Sequence, residues 1–394
     1  MNYQELDEKY YAPTYKRYPV TLVKGKNARV WDDKGKEYID ALAGIAVNVL
    51  GHNNEKLVEA INSQAQKLIH ISNYFLSEPQ ALLSKKLVEI TGLDRVFFGN
   101  SGAEAVEGAI KFARKYAHSK GRGGEIISFS ECFHGRTLGT VAMGKEAHKK
   151  GFEPIPSGYK KAEFNNIESV KGLVDKNTAA IILEPIQGEG GINVADKNFV
   201  NELRNLCDEE NIALIFDEVQ CGVGRTGYWF VKDYFGVNPD ILTSAKGLGG
   251  GVPIGAVICK NKISDSIKPG DHGTTFGGNP LATAAALAVL NEIENKNLLE
   301  EAKKKGEWFR EKIKESSPAD LGIKKVRGLG LMIGIELEYD SKPVVDKMLE
   351  LGVLANATAG KIIRIVPPLT IPEDDLGNVI EVMINAIKSV KQNV

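Results

Sequence analysis

Ile212-Ala213-Leu214-Ile215-Phe216-Asp217-Glu218-Val219-Gln220 and, further on, Ile241-Leu242-Thr243-Ser244-Ala245-Lys246-Gly247-Leu248-Gly249-Gly250-Gly251 decide how this chain folds. Each is a short run of β-branched and other apolar residues that ends on a charged side chain, and each reads as a buried strand followed by a loop. An aspartate and a lysine at two strand ends of one sheet are the pair that pyridoxal phosphate needs, a carboxylate for its ring nitrogen and an amine for its aldehyde. A surface lysine and a helix-capping aspartate satisfy the same spacing equally well.

Outward from these strands the same pattern repeats. Val96-Phe98, Ile126-Phe129, Ala180-Leu183 and Ala256-Cys259 are further short apolar runs, separated by helical periodicity. Alternation of this kind predicts an α/β fold: a mostly parallel sheet covered by helices on both faces, in a large three-layer α/β/α domain. We place that domain at residues 51–285. After Pro280 a long helix through Ala284, Leu287, Leu290 and Ile293 leads into a charged helix over Asn297–Ser316. Beyond it, Val326-Arg327-Gly328, Leu331–Leu337 and Ile362–Ile365 read as a smaller α+β domain over residues 286–394. Residues 1–50, with a hairpin at Ala28–Asp32 and Glu37–Asp40, are expected to join it.

The size of the chain, 394 residues, agrees with two domains. Fifty Lys+Arg balance 51 Asp+Glu, a formal net charge of -1, so no long-range field favours nucleic acid or an anionic membrane. Small-molecule partners are expected. The opening Met1-Asn2-Tyr3-Gln4-Glu5-Leu6-Asp7-Glu8-Lys9 lacks the apolar core of a secretory signal. No apolar stretch approaches the ~20 residues that span a bilayer. The four cysteines show no metal-ligand spacing, and no metal is expected; reduced thiols in the cytoplasm are the natural reading. Gly328-x-Gly330 precedes an apolar strand instead of a helix, and Lys246 precedes its glycines, so neither a dinucleotide fingerprint nor a Walker loop is present.

Three further segments end strands with functional side chains. Asn100-Ser101-Gly102-Ala103-Glu104 opens a helix whose exposed amides could hold a phosphate, provided Glu104 points away. The same residues also satisfy an ordinary capping box, Ser101 with Glu104. In Phe133-His134-Gly135-Arg136 the ring could stack on a flat cofactor and the arginine could grip a carboxylate, with core packing and a surface ion pair as the alternatives. Glu184-Pro185-Ile186-Gln187-Gly188-Glu189 also ends a strand, where α/β proteins build sites.

Taken together these motifs resemble the class III aminotransferases of the pyridoxal-phosphate fold-type I group, and within them the acetylornithine aminotransferases. The matching pieces run nearly end to end: Gly44–Val47, His70–Asn73, Asn100–Glu107, Phe133–Arg136, Glu184–Gly190, Asp217–Gln220, Leu242–Gly250, His272–Pro280 and Arg364–Leu369. His70-Ile71-Ser72-Asn73 carries most of the likeness to the acetylornithine branch. The proline common in the family at the helix start near His52-Asn53-Asn54-Glu55 is missing, which bears on packing rather than chemistry.

The resemblance implies roles residue by residue. Lys246 matches the lysine that holds the cofactor and, once freed, moves the proton between Cα and C4′. Asp217 matches the partner of the ring nitrogen, Gln220 that of the phenolic oxygen, and Phe133 and Val219 belong to the ring's surroundings. Amides of Ser101, Gly102 and Ala103 would hold the phosphate, joined by Thr275 from a neighbouring subunit, which implies a homodimer with shared sites. On the substrate side stand Arg364 for the α-carboxylate of glutamate, Arg136 for the distal carboxylate, Thr274, and Tyr15. Glu189 is expected to pair with Arg364 in one half-reaction and release it in the other, because an unpaired buried charge costs several kcal/mol. The implied reaction is ping-pong transfer of the δ-amino group of N-acetylornithine to 2-oxoglutarate, giving N-acetylglutamate 5-semialdehyde and glutamate, in arginine biosynthesis. Ornithine, succinylornithine, succinyldiaminopimelate and 4-aminobutyrate are alternative donors. Outside the class, a non-catalytic protein that binds a phosphate ligand remains open.

Overall fold

A computed structural model describes residues 3–318 and 321–391. The expectation about the opening segment rests partly on Met1 and Asn2, which lie outside these residues. Seven strands make the central sheet: β1 (Arg95–Gly99), β2 (Glu125–Phe129), β3 (Tyr159–Ala162), β4 (Thr178–Leu183), β5 (Ala213–Asp217), β6 (Ile241–Ser244) and β7 (Gly255–Cys259). Their order across the sheet is β1-β7-β6-β5-β4-β2-β3. β3, β2, β4, β5 and β6 run parallel, while β7 is antiparallel to both β6 and β1. The six apolar runs recognised in the sequence are all strands. The seventh, β3, reads Tyr-Lys-Lys-Ala and stands at the sheet edge, where one buried alanine suffices.

The pleat sends alternate residues of each strand to opposite faces. On β5, Ala213 and Ile215 meet the helix Gly102–Ser119, whose Ala105, Val106, Ala109, Phe112 and Tyr116 are buried. Leu214 and Phe216 point the other way, toward Phe199 and Leu203 of the helix Lys197–Glu209. At the other end of the sheet, Leu242 and Ile258 share a core with Leu57, Leu83, Leu87, Val289 and Leu290 from the helices Glu55–Lys67, Glu78–Thr91 and Pro280–Asn295. Both faces are therefore covered, and the inner strands β4 to β7 are buried at every position because neither face meets water.

After the helix Leu298–Ser316 comes a second, antiparallel sheet of Ile323–Leu329, Met332–Leu337, Ile362–Ile365 and Asn356–Thr358. Gly328 and Gly330 lie in its first hairpin, with φ of 123° and 51°. A third sheet joins the chain's two ends: Arg29–Asp32 pairs with Glu37–Asp40, and Ile39 lies beside Val353 in parallel register. Among the described residues no helix is long and apolar enough to cross a membrane, and no group of three or more His, Cys, Asp or Glu is placed to hold a metal.

Candidate active site

The carboxyl ends of β2, β4, β5 and β6 and the helix start after β1 enclose one cavity of about 170 Å³. Gly102, Ala103, Phe133, His134, Gly135, Glu184, Asp217, Val219, Gln220 and Lys246 line it. Residues more than 140 positions apart in sequence meet here because parallel strands deliver their loops to the same edge.

Lys246 opens a short 3₁₀ turn at φ 44°, a left-handed conformation that a lysine rarely adopts. Gly247 behind it gives clearance: a Cβ there would stand 2.7 Å from Val49. Burial pushes the Lys246 pKa down, Glu189 opposes the shift and Arg364 adds to it. A depressed pKa raises the share of neutral amine, the nucleophilic form.

Val49 follows a second strained element. Ala43, Gly44, Ile45 and Ala46 are all left-handed, with φ from 50° to 66°, at a cost of roughly 1–2 kcal/mol for each non-glycine residue. Asp40 holds this turn in place. Its Oδ1 accepts the amides of Leu42 at 3.0 Å and Ala43 at 2.7 Å, and its Oδ2 meets His52 Nε2 at 2.7 Å.

Asp217 is buried at the end of β5 and fully engaged. His134 Nδ1 lies 2.7 Å from Oδ2, while Val219 N and Thr243 Oγ1 each donate to Oδ1 at 3.1 Å. Burial alone would lower the His134 imidazole, but Cys132 and the Asp217 carboxylate outweigh it and hold its pKa well above the usual range. His134 and Thr243, which hold this carboxylate, were given no role from the sequence. The phenylalanine before His134 drew attention to itself as a stacking ring; nothing in the local sequence says that the histidine reaches back to a strand 83 residues away.

Above the cavity, the Arg136 guanidinium lies 5.6 Å from the Phe133 ring centre. Below, Ser101 caps the helix Gly102–Ser119 by accepting Glu104 N at 3.1 Å, and Glu104 turns back to Asn100 N. The capping box and the open amides thus coexist, since the first N–H groups of a helix have no intrahelical acceptor. A Cβ on Gly102 would stand 2.7 Å from Val219, so only glycine lets the two loops close on each other. Glu184, buried behind Phe133, accepts Phe133 N at 2.8 Å and Gly188 N at 3.3 Å; burial pushes its pKa up to about 7.

Beyond Gln220, Arg364 lies in the strand Ile362–Ile365 with 0% exposure. It donates through Nε to Asn356 at 2.9 Å and through Nη1 to both Glu189 Oε1 and, at 3.0 Å, Gln220 Oε1. Burial would raise Glu189, but the Arg364 charge outweighs it and holds the carboxyl below the ordinary range.

Three candidates lie elsewhere within this chain. Thr274 and Thr275 line a separate groove of about 1320 Å³ with His70, Ser72 and Asn73, and Thr274 Oγ1 accepts Asn100 Nδ2 at 3.2 Å. Tyr15 is 70% exposed and does not line the Lys246 cavity.

An amine, a buried carboxylate backed by histidine, an aromatic cover and a helix start around one cavity fit the donor set that pyridoxal phosphate requires. Residues 10–387 match the family model for aminotransferase class-III. The chain belongs to this family.

Its relatives agree along the whole length. An acetylornithine aminotransferase from Methanocaldococcus jannaschii is 53% identical over 392 residues, covering 99% of this chain and 98% of the relative. A solved ornithine aminotransferase from Toxoplasma gondii, described with partial occupancy of PLP at the active site, superposes with TM-score 0.95 at 34% identity, covering 99% of this chain and 95% of that one. The acetylornithine aminotransferase of Elizabethkingia anophelis gives TM-score 0.87 at 36% identity, with 98% of each chain covered. The class-III aminotransferase fold and its dependence on pyridoxal phosphate therefore hold for this chain. A non-catalytic phosphate-binding reading does not.

Proposed function

We propose that this aminotransferase carries the δ-amino group of N-acetylornithine to 2-oxoglutarate, releasing N-acetylglutamate 5-semialdehyde and glutamate in the cytoplasm as a step of arginine biosynthesis. The carrying observation is Arg364, fully buried, bonded to Gln220 of the Lys246 cavity and held by Glu189. A bidentate guanidinium suits the α-carboxylate of glutamate and 2-oxoglutarate, and Arg136 suits the distal one. When bound, pyridoxal phosphate supplies an aldehyde for the amino group and a ring that accepts electrons. Asp217, fixed by His134, Thr243 and the Val219 amide, would keep the ring nitrogen protonated. Phe133 and Val219 would bracket the ring, the amides of Ser101, Gly102 and Ala103 would hold the phosphate, and Gln220 would meet the phenolic oxygen. Lys246 would accept and return the proton at the carbon that bears the transferred amino group, Cδ of N-acetylornithine or Cα of glutamate.

N-Acetylornithine presents its δ-amine to the cofactor and leaves no α-carboxylate for Arg364. Glu189 neutralises Arg364 in that half-reaction and swings away in the other, since a buried unpaired guanidinium costs several kcal/mol. Glu189→Ala should therefore depress turnover of N-acetylornithine by about tenfold or more relative to glutamate; equal losses for both donors would refute the switch. Ornithine is the second reading, favoured by the ornithine aminotransferases among the superposing structures. Stopped-flow spectra of single turnovers with glutamate, N-acetylornithine and ornithine separate the two, and ornithine reacting faster than N-acetylornithine would displace the first.

We also infer a homodimer, with the large domain at 51–285 and a small domain of 1–50 and 286–394. Tyr74 and Leu76 beside the Thr275 groove are 93% and 100% exposed, an apolar surface that a second copy would cover while bringing Thr275 to its neighbour's site.

A further inference from the structure

Gln220 occupies an unusual place between the two ends of the site. Its carboxamide lines the same cavity as Lys246 and Asp217 and is 8% exposed. It also completes the Arg364 cluster. A guanidinium only donates, so Oε1 must face Arg364 Nη1, 3.0 Å away, and the amide nitrogen must face the other way. That nitrogen donates to Glu189 Oε1 at 3.4 Å, which leaves its second N–H for the cavity. Gln220 and Arg364 thus share one carboxylate oxygen of Glu189.

The chain is shaped around this carboxamide. A Cβ on Gly188 would overlap all three of its terminal atoms, standing 2.6 Å from Nε2. Gly188 is not among the residues with positive φ, so clearance for Gln220, and not backbone conformation, explains the glycine. The charged groups facing this cluster are Arg364 from the second sheet, Glu189 and Glu184 from the loop after β4, Asp217 at the end of β5, and Lys246.

We propose that Gln220 is a positioning residue that couples the carboxylate clamp on Arg364 to the cofactor end of the cavity. With Glu189 on Arg364, one N–H of Gln220 is committed to Glu189. When a substrate carboxylate takes Arg364 and Glu189 leaves, that N–H is released, and the carboxamide would be free to turn both donors to the phenolic oxygen of bound cofactor. Clamp occupancy and the protonation of the nitrogen at Lys246 then become linked equilibria, and linkage is reciprocal. This inference rests on the aminotransferase reading of Arg364 given above and goes beyond it.

The test uses glutarate, a dicarboxylate with neither amine nor keto group, on the full-length protein loaded with pyridoxal phosphate. Absorbance is titrated against pH with and without saturating glutarate. In the native protein glutarate should move the midpoint by about one pH unit, so that its affinity differs about tenfold between the two sides of the transition. In Gln220→Ala glutarate should still saturate, but most of the displacement should vanish, leaving only the through-space effect of the added charge. Gly188→Ala keeps the glutamine and forces its carboxamide aside; it should lose the displacement as well, and it decides the matter if Gln220→Ala does not retain cofactor. An undiminished displacement overturns the coupling while leaving the aminotransferase reading intact. Failure of the native protein to bind glutarate, or insensitivity of that binding to Arg364→Lys, overturns the assignment of Arg364 and the coupling with it.

Discussion

Asp217 makes three hydrogen bonds inside the protein, and the one from His134 is the shortest at 2.7 Å. A carboxylate so engaged is held in one orientation before any ligand arrives, and the imidazole offsets part of the cost of burying its charge. His134→Ala leaves the carboxylate short of a charge-assisted bond worth about 1.5–3 kcal/mol. Pyridoxal phosphate should then dissociate about tenfold or more faster on dialysis, followed by the loss of its visible absorbance. Retention equal to the native protein would show that Thr243 and the Val219 amide suffice. Neither His134 nor Thr243 was legible as functional in the sequence. Lys246 and Asp217 were singled out through the family motifs around them, since the ends of two apolar runs suit a surface lysine and a capping aspartate equally well.

At the level of elements, the phosphate-binding corner depends on how closely β7 approaches the turn before the helix Gly102–Ser119. A Cβ on Gly255 would overlap the Ser101 carbonyl and stand 2.8 Å from its carbon, and backbone cannot yield as a flexible side chain can. Gly255→Ala should therefore push Ser101 outward, costing about 1–3 kcal/mol of stability as overpacking does. Thermal unfolding of the cofactor-free protein reads that cost, and phosphate-dependent cofactor affinity should fall with it. An unchanged melting temperature would mean that the corner is softer than its geometry suggests. The antiparallel course of β7 was not legible in Gly255-Ala256-Val257-Ile258-Cys259, since a strand buried on both faces is apolar in either direction. β3 escaped notice for the opposite reason: an edge strand needs little apolar surface, and Tyr-Lys-Lys-Ala carries little.

For the molecule as a whole, the groove beside Thr274 and Thr275 is lined by the exposed Tyr74 and Leu76, and the chain neighbours of these residues, Phe75 and Phe276, are exposed as well. Monomers seldom leave so much contiguous apolar side chain in water. Light scattering of the native protein should give twice the chain mass of 42.9 kDa. Leu76→Asp, at a position with no intramolecular packing to lose, should shift the mass toward the monomer and lower cofactor retention together. A native mass of one chain would remove the shared site from the proposal.

The sequence by itself determined the α/β class, six of the seven strands of the large sheet and, through the resemblance its motifs carry, the aminotransferase family. The class and the strands follow from short-range pattern, apolar runs that bury and glycines that let loops turn; the family follows from motifs matched along the chain. Only the tertiary structure decided that His134 and Thr243 hold Asp217 and that Gln220 joins the expected Glu189 pairing on Arg364. Those relations join loops from different strands and sheets. Their partners are chosen by strand order and direction across a sheet, which no local run of residues encodes.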